Sequence, residues 1–169
     1  LSDALRSFSS QPNIWILPTL NPQPEVARDS EPQPNIEVES LIRNPVDTVI
    51  KAPPQYGLTC LAHFLAKEAW GQSNPSYWLY LDAKNIKPIK VSIEQAMNAE
   101  LQSTGLERSD IKCVILDSWS ESEKDAFKLL NNVCEYFGDI PVICMQSLSG
   151  SLTFENNDRK ANRKFRNIY

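Results

Sequence analysis

The chain has 169 residues, 12 of them proline and 5 glycine, with 41% hydrophobic residues, 22% charged residues and a formal net charge of -4. That length accommodates one domain with a sizeable core, and the composition excludes collagen, a coiled coil and wholesale disorder. No apolar stretch approaches the roughly 18 residues that span a bilayer.

Residues 1–35 read as an extended, proline-rich lead-in. Five prolines fall between Pro18 and Pro34. That density excludes a helix, because each proline lacks an N–H and restrains its predecessor. Ile14 to Leu17 is a short apolar run that fits an edge strand. Residues 36–43 are predicted as a short helix, with Asn35 as its cap and Glu37 in its first turn. Residues 47–51 are a β-branched run and read as a strand. Over residues 58–70, Leu58, Leu61, Ala62 and Leu65 recur at helical spacing, and Gly71 is placed to end the helix. Residues 77–82 (YWLYLD) form a continuous apolar run, the pattern of a strand buried on both faces.

A helix over 92–104 is expected to open on Ser92, with Gln95 completing a capping box, and to stop at Gly105. Residues 111–117 (IKCVILD) give the clearest buried strand. Residues 122–137 place Phe127, Leu130, Val133, Cys134 and Phe137 on one helical face. Residues 141–146 (PVICMQ) give the last strand predicted. Alternating strands and helices imply an α/β fold: a parallel sheet with helices on both faces and right-handed crossovers. The expected division is a lead-in over 1–35, a core over 36–151 and a basic C-terminal segment over 152–169. That last segment carries 2 acids and 5 bases. Leu1 is not a starting Met, no signal peptide is visible, and the ending at Tyr169 is apolar. These features read as an excerpt of a longer, cytoplasmic protein.

Cysteine and histidine narrow the chemistry. Cys60, Cys113, Cys134 and Cys144 form no CxxC pair and sit among apolar residues, so buried free thiols are expected. His63 is the single histidine. One histidine in a helix makes a zinc site or a histidine-activated nucleophile a poor expectation.

The loop after the first core strand carries the chemistry. It reads Ala52-Pro53-Pro54-Gln55-Tyr56-Gly57-Leu58-Thr59. Set against the phosphate-binding pattern G-x-x-x-x-G-K-[ST], Gly57 and Thr59 match, while Ala52 replaces a glycine and Leu58 replaces the lysine. Strand, loop and helix follow in the required order. Amides at such a helix start bind phosphate whatever the side chains. Pro54, Gln55, Tyr56, Gly57, Leu58, Thr59 and Cys60 are the candidate cradle. Thr59 has the hydroxyl that helps hold Mg²⁺. Asp117 ends an apolar strand in the manner of a Walker B acid and is the second candidate metal residue. The neighbouring acid is replaced by Ser118, which leaves Glu121 as the nearest water-activating base. Gln146 ends the last predicted strand and is the candidate for reaching a γ-phosphate.

On VIKAPPQYGLTCLAHFLA, KCVILD and VICMQS, in that order, residues 47–150 resemble the nucleotide-binding core of a P-loop NTPase. They are most similar to its STAND/AAA-like branch, the signal-transducing ATPases of bacterial defence and innate immunity. The resemblance implies ATP with Mg²⁺, self-association or contact with other domains of a longer protein, and a Walker B strand lying beside the P-loop strand. The missing lysine implies weak or lost hydrolysis and a switch or scaffold role. An active Mg-ATPase with an unorthodox loop is the alternative within that class. From another class comes nucleic-acid contact through Arg159, Lys160, Arg163, Lys164 and Arg166, against which the overall acidity argues. Tyr77, Trp78, Tyr80 and Trp119 read as core and rim packing rather than a base-stacking platform.

Overall fold

A computed structural model describes residues 18–22, 34–148 and 161–169. Four helices and five strands follow in chain order. They are α1 (Val38–Arg43), β1 (Thr48–Ala52), α2 (Leu58–Trp70), β2 (Tyr77–Asp82), α3 (Lys90–Thr104), β3 (Ile111–Trp119), α4 (Ala126–Phe137), β4 (Val142–Ser147) and β5 (Arg166–Ile168). Short 3-10 turns stand at Ala83–Asn85 and Arg108–Asp110. The expected strip at Ile14 to Leu17 lies outside the described residues.

All strand pairs are parallel, in the order β2-β3-β4-β1-β5. The fold is α/β, a parallel sheet with helices on both faces. Strand alternation sorts the core. Ile50, Trp78, Cys113, Ile115, Ile143, Met145 and Ile168 face α1 and α2. Val49, Leu79, Leu81, Val114, Leu116, Val142 and Cys144 face α3 and α4. Both sides of the central strands are covered, which explains why those strands carry apolar residues without alternation. Leu65 is fully buried on α2, and burying a leucine contributes about 1.5–3 kcal/mol.

Five expectations need correction. The strand bearing Asp117 does not lie beside the loop-bearing strand: β4 stands between β3 and β1. Asn35 does not cap α1; Glu37 occupies the cap position, and Ile36 bridges Leu20 in antiparallel fashion. Helix α3 starts two residues before Ser92, which removes the expected capping box. The Ser92 Oγ instead accepts from the Lys87 N–H at 3.0 Å. Helix α4 starts at Ala126 rather than at 122, after the turns over 121–125. Finally, β4 is not the last strand, because Arg166–Ile168 pairs with β1.

The described lead-in holds that last strand in place. Asn21 and Tyr169 exchange both backbone hydrogen bonds at 2.8 Å. At the opposite end of β5's approach, Arg163 reaches the Asp47 carboxylate at 3.3 Å, the Ile140 carbonyl at 3.1 Å and the Cys134 carbonyl at 2.6 Å. A cation there also meets the negative end of the α4 dipole.

Candidate functional site

The C-terminal ends of parallel strands are where open α/β sheets bind ligands, and β1 delivers its loop there. Gly57 adopts the left-handed region at φ 78°, a conformation glycine enters without steric cost, and so starts α2. Its carbonyl accepts from the Leu61 N–H at 2.8 Å. The first amides of α2, at Leu58, Thr59 and Cys60, have no acceptor within the helix and point out of its positive end. Pro53 and Pro54 contribute no N–H, so the donors concentrate at the helix start. Gln55 also lies at positive φ (71°). Pro53 to Gly57 are exposed, Tyr56 by 76%.

Thr59 and Asp117 meet across 58 residues. The Thr59 hydroxyl donates to Asp117 Oδ2 at 2.8 Å. Asp117 is only 2% exposed, so its charge requires such partners. The Tyr80 hydroxyl donates to the same oxygen at 2.7 Å. Burial, and then the hydrogen bond to Asp117, push the Tyr80 phenol far above its ordinary value. It therefore remains a donor. Its ring packs on His63, centroid to centroid at 4.7 Å.

Ser118, where the resemblance expects a second acid, lies at φ 57°. The β3–β4 register shifts between Leu116 and Trp119. A bulge of this kind re-aims side chains, and a left-handed serine costs about 1 kcal/mol.

Gln146 is 3% exposed and stands in register with Lys51 and Trp119. Alternation along β4 puts it on the α3/α4 side with Val142 and Cys144, whereas Asp117 follows Cys113 and Ile115 on the α2 side. Its Oε1 has no hydrogen-bond partner among the described residues. Glu121 is exposed in the turn after β3, and after burial its charge is what raises the Tyr169 phenol. Lys51 lies over the Tyr169 ring at 5.8 Å. Leu58 packs against the core cluster of α1 and α2.

All four cysteines are free thiols, but Cys60 is exposed on the first turn of α2 rather than buried. Arg159 and Lys160 lie outside the described residues. Arg163 is turned inward to Asp47, and Lys164 and Arg166 are exposed. Among the described residues no three His, Cys, Asp or Glu side chains cluster to hold a metal. Nor is any helix among them long and apolar enough to cross a membrane.

Sequence reasoning takes Tyr80 as packing alone and misses the bond its hydroxyl makes. Its contact with Asp117 follows from the β2–β3 register, Asp82 opposite Asp117, which no local motif encodes.

No known family's sequence profile matches the chain. No curated protein matches it in sequence either. Among solved structures it is similar to AMPPCP-bound DnaA from Aquifex aeolicus, at 16% identity and a TM-score of 0.40. That match covers 66% of this chain and 36% of the DnaA chain, so the chain spans about a third of that protein's length.

Proposed function

We propose that the chain is the regulatory nucleotide-binding domain of a STAND-like P-loop protein. In this reading it binds Mg-ATP weakly, hydrolyses it slowly or not at all, and serves as a switch or scaffold. The single supporting observation is the Thr59–Asp117 hydrogen bond at 2.8 Å, beside a helix start opened by a left-handed Gly57.

The residues fit the cation. Thr59 gives its proton to Asp117, which leaves the hydroxyl lone pairs free to face a hard cation. With so few protein ligands, Mg²⁺ would rely on phosphate and water oxygens, as it commonly does. When bound, Mg²⁺ neutralises charge on the phosphates. The amides of Leu58, Thr59 and Cys60 orient the phosphate chain. Asp117 fixes the Thr59 hydroxyl. Without a lysine at position 58, no side chain of the loop neutralises charge developing at the γ-phosphate. The placement of Gln146 on the other side of the sheet supports slow hydrolysis further. Self-association or neighbouring domains of a longer cytoplasmic protein would read out the bound state, in keeping with the resemblance to bacterial defence proteins. The inward use of Arg163 speaks against nucleic-acid contact as the main role.

Calorimetric titration of ATP with and without Mg²⁺ tests this reading. Wild-type protein is expected to bind Mg-ATP more tightly than ATP alone. Thr59→Ala should weaken Mg-ATP binding about tenfold, equivalent to ~1.4 kcal/mol, and Asp117→Asn should abolish the Mg²⁺ dependence. No binding and no thermal shift at millimolar Mg-ATP would sink the proposal.

A further inference from the structure

Asp117 Oδ2 receives two hydroxyl protons, one from Thr59 on α2 and one from Tyr80 on β2. An aspartate's terminal torsion is broad, so a carboxylate with one partner samples a range of orientations. Two donors from two different elements converge on one oxygen here. They fix the plane of the group and the direction in which Thr59 must donate. Tyr80 is itself well anchored. Strand β2 pairs in parallel with β3, Tyr80 opposite Ile115 and Asp82 opposite Asp117. Tyr80 and Asp117 thus share the α2 side of the sheet, and the phenol reaches two residues along the strand. Its ring rests on His63, four residues after Thr59 on the same helix. The ring therefore belongs to the packing, while the hydroxyl reaches the carboxylate.

We propose that Tyr80 is a positioning residue for the cation held at the Thr59–Asp117 pair. The proposal rests on the nucleotide-binding reading above and adds a residue to it. The Tyr80 hydroxyl spends its proton on Asp117 and not on a group of the loop. Its hydroxyl acts only through Asp117, so its influence falls on the cation dependence of binding and not on binding of the nucleotide alone.

The test compares wild-type protein with Tyr80→Phe, which keeps the ring. ATP affinity is measured by calorimetry across a Mg²⁺ series and in EDTA, and bound Mn²⁺ is counted by electron paramagnetic resonance. The Mg²⁺ concentration for half the gain in affinity should rise about tenfold, the equivalent of one lost hydrogen bond to a charged group. Affinity in EDTA and the melting temperature should stay close to wild type. In an Asp117→Asn background, Tyr80→Phe should have no further effect. An unchanged Mg²⁺ series overturns the proposal. So does an equal loss in EDTA accompanied by a fallen melting temperature, which marks a purely structural hydroxyl. Wild-type protein that binds ATP without gaining from Mg²⁺ also overturns it and leaves a nucleotide reading standing. Wild-type protein that binds no ATP overturns both.

Discussion

Leu58 stands where the proposed resemblance to a phosphate-binding loop expects a lysine, and its apolar side chain is partly buried. The side chain packs against the cluster beneath α1 and α2. Leu58→Lys should tighten ATP binding about tenfold. It should also cost about 1 kcal/mol of stability, because the partly buried leucine surface is lost. Titration calorimetry and urea denaturation of the same variant measure both effects, and unchanged affinity would refute the idea of a degenerate loop. Thr59 and Asp117, which the structure joins by a hydrogen bond, stand out as a pair in the sequence, because one lies near a glycine at a helix start and the other closes an apolar run. The face that Gln146 takes is not legible in the sequence, for a physical reason. Residues 142–145 are apolar on both faces of a covered strand, so no alternation in the sequence says which face the glutamine takes.

At the scale of elements, long apolar runs and helical spacing located α2, β2 and β3 to within two residues. Short elements were harder to read. Strand β5 is three residues long with one buried side chain, Ile168, and its strand character comes from pairing with β1. What draws it in is partly Arg163, which joins Asp47 and two carbonyls. Arg163→Met should destabilise the fold by about 2–3 kcal/mol, because a half-buried Asp47 and two carbonyls lose a charged donor. The denaturant midpoint reports that loss. Amide exchange at Asn167 and Ile168 should speed by a larger factor than at β3. Equal acceleration everywhere would show that Arg163 does not hold β5 in particular.

For the molecule as a whole, burial of neutral acids sets a limit at high pH. Burial raises the Cys134 thiol to about 11 from its ordinary 9.0, with Arg163 partly opposing the shift. Burial also holds Cys113 and Cys144 well above that value. The unfolded chain therefore loses these protons first, and above about pH 9 it binds fewer protons than the folded chain. Stability from these groups is complete below about pH 9 and declines as pH climbs through the folded-state values. The urea midpoint should be lower at about pH 10.5 than at about pH 8. A constant midpoint over that interval would contradict the assignment of these thiols as buried and neutral.

The sheet order has a consequence in time. Among the described residues, strand β1 pairs with β4 and β5 alone, and Asp47 waits 95 residues for its bond to the Val142 amide. At about 5–20 residues per second, a ribosome needs roughly 5–20 s to supply that partner. Until then the loop-bearing strand has no neighbour, while β2 and β3 can already pair. Contacts of such long sequence separation are also the slow ones to form. The loop and its aspartate thus come together late, after most of the sheet exists to receive them.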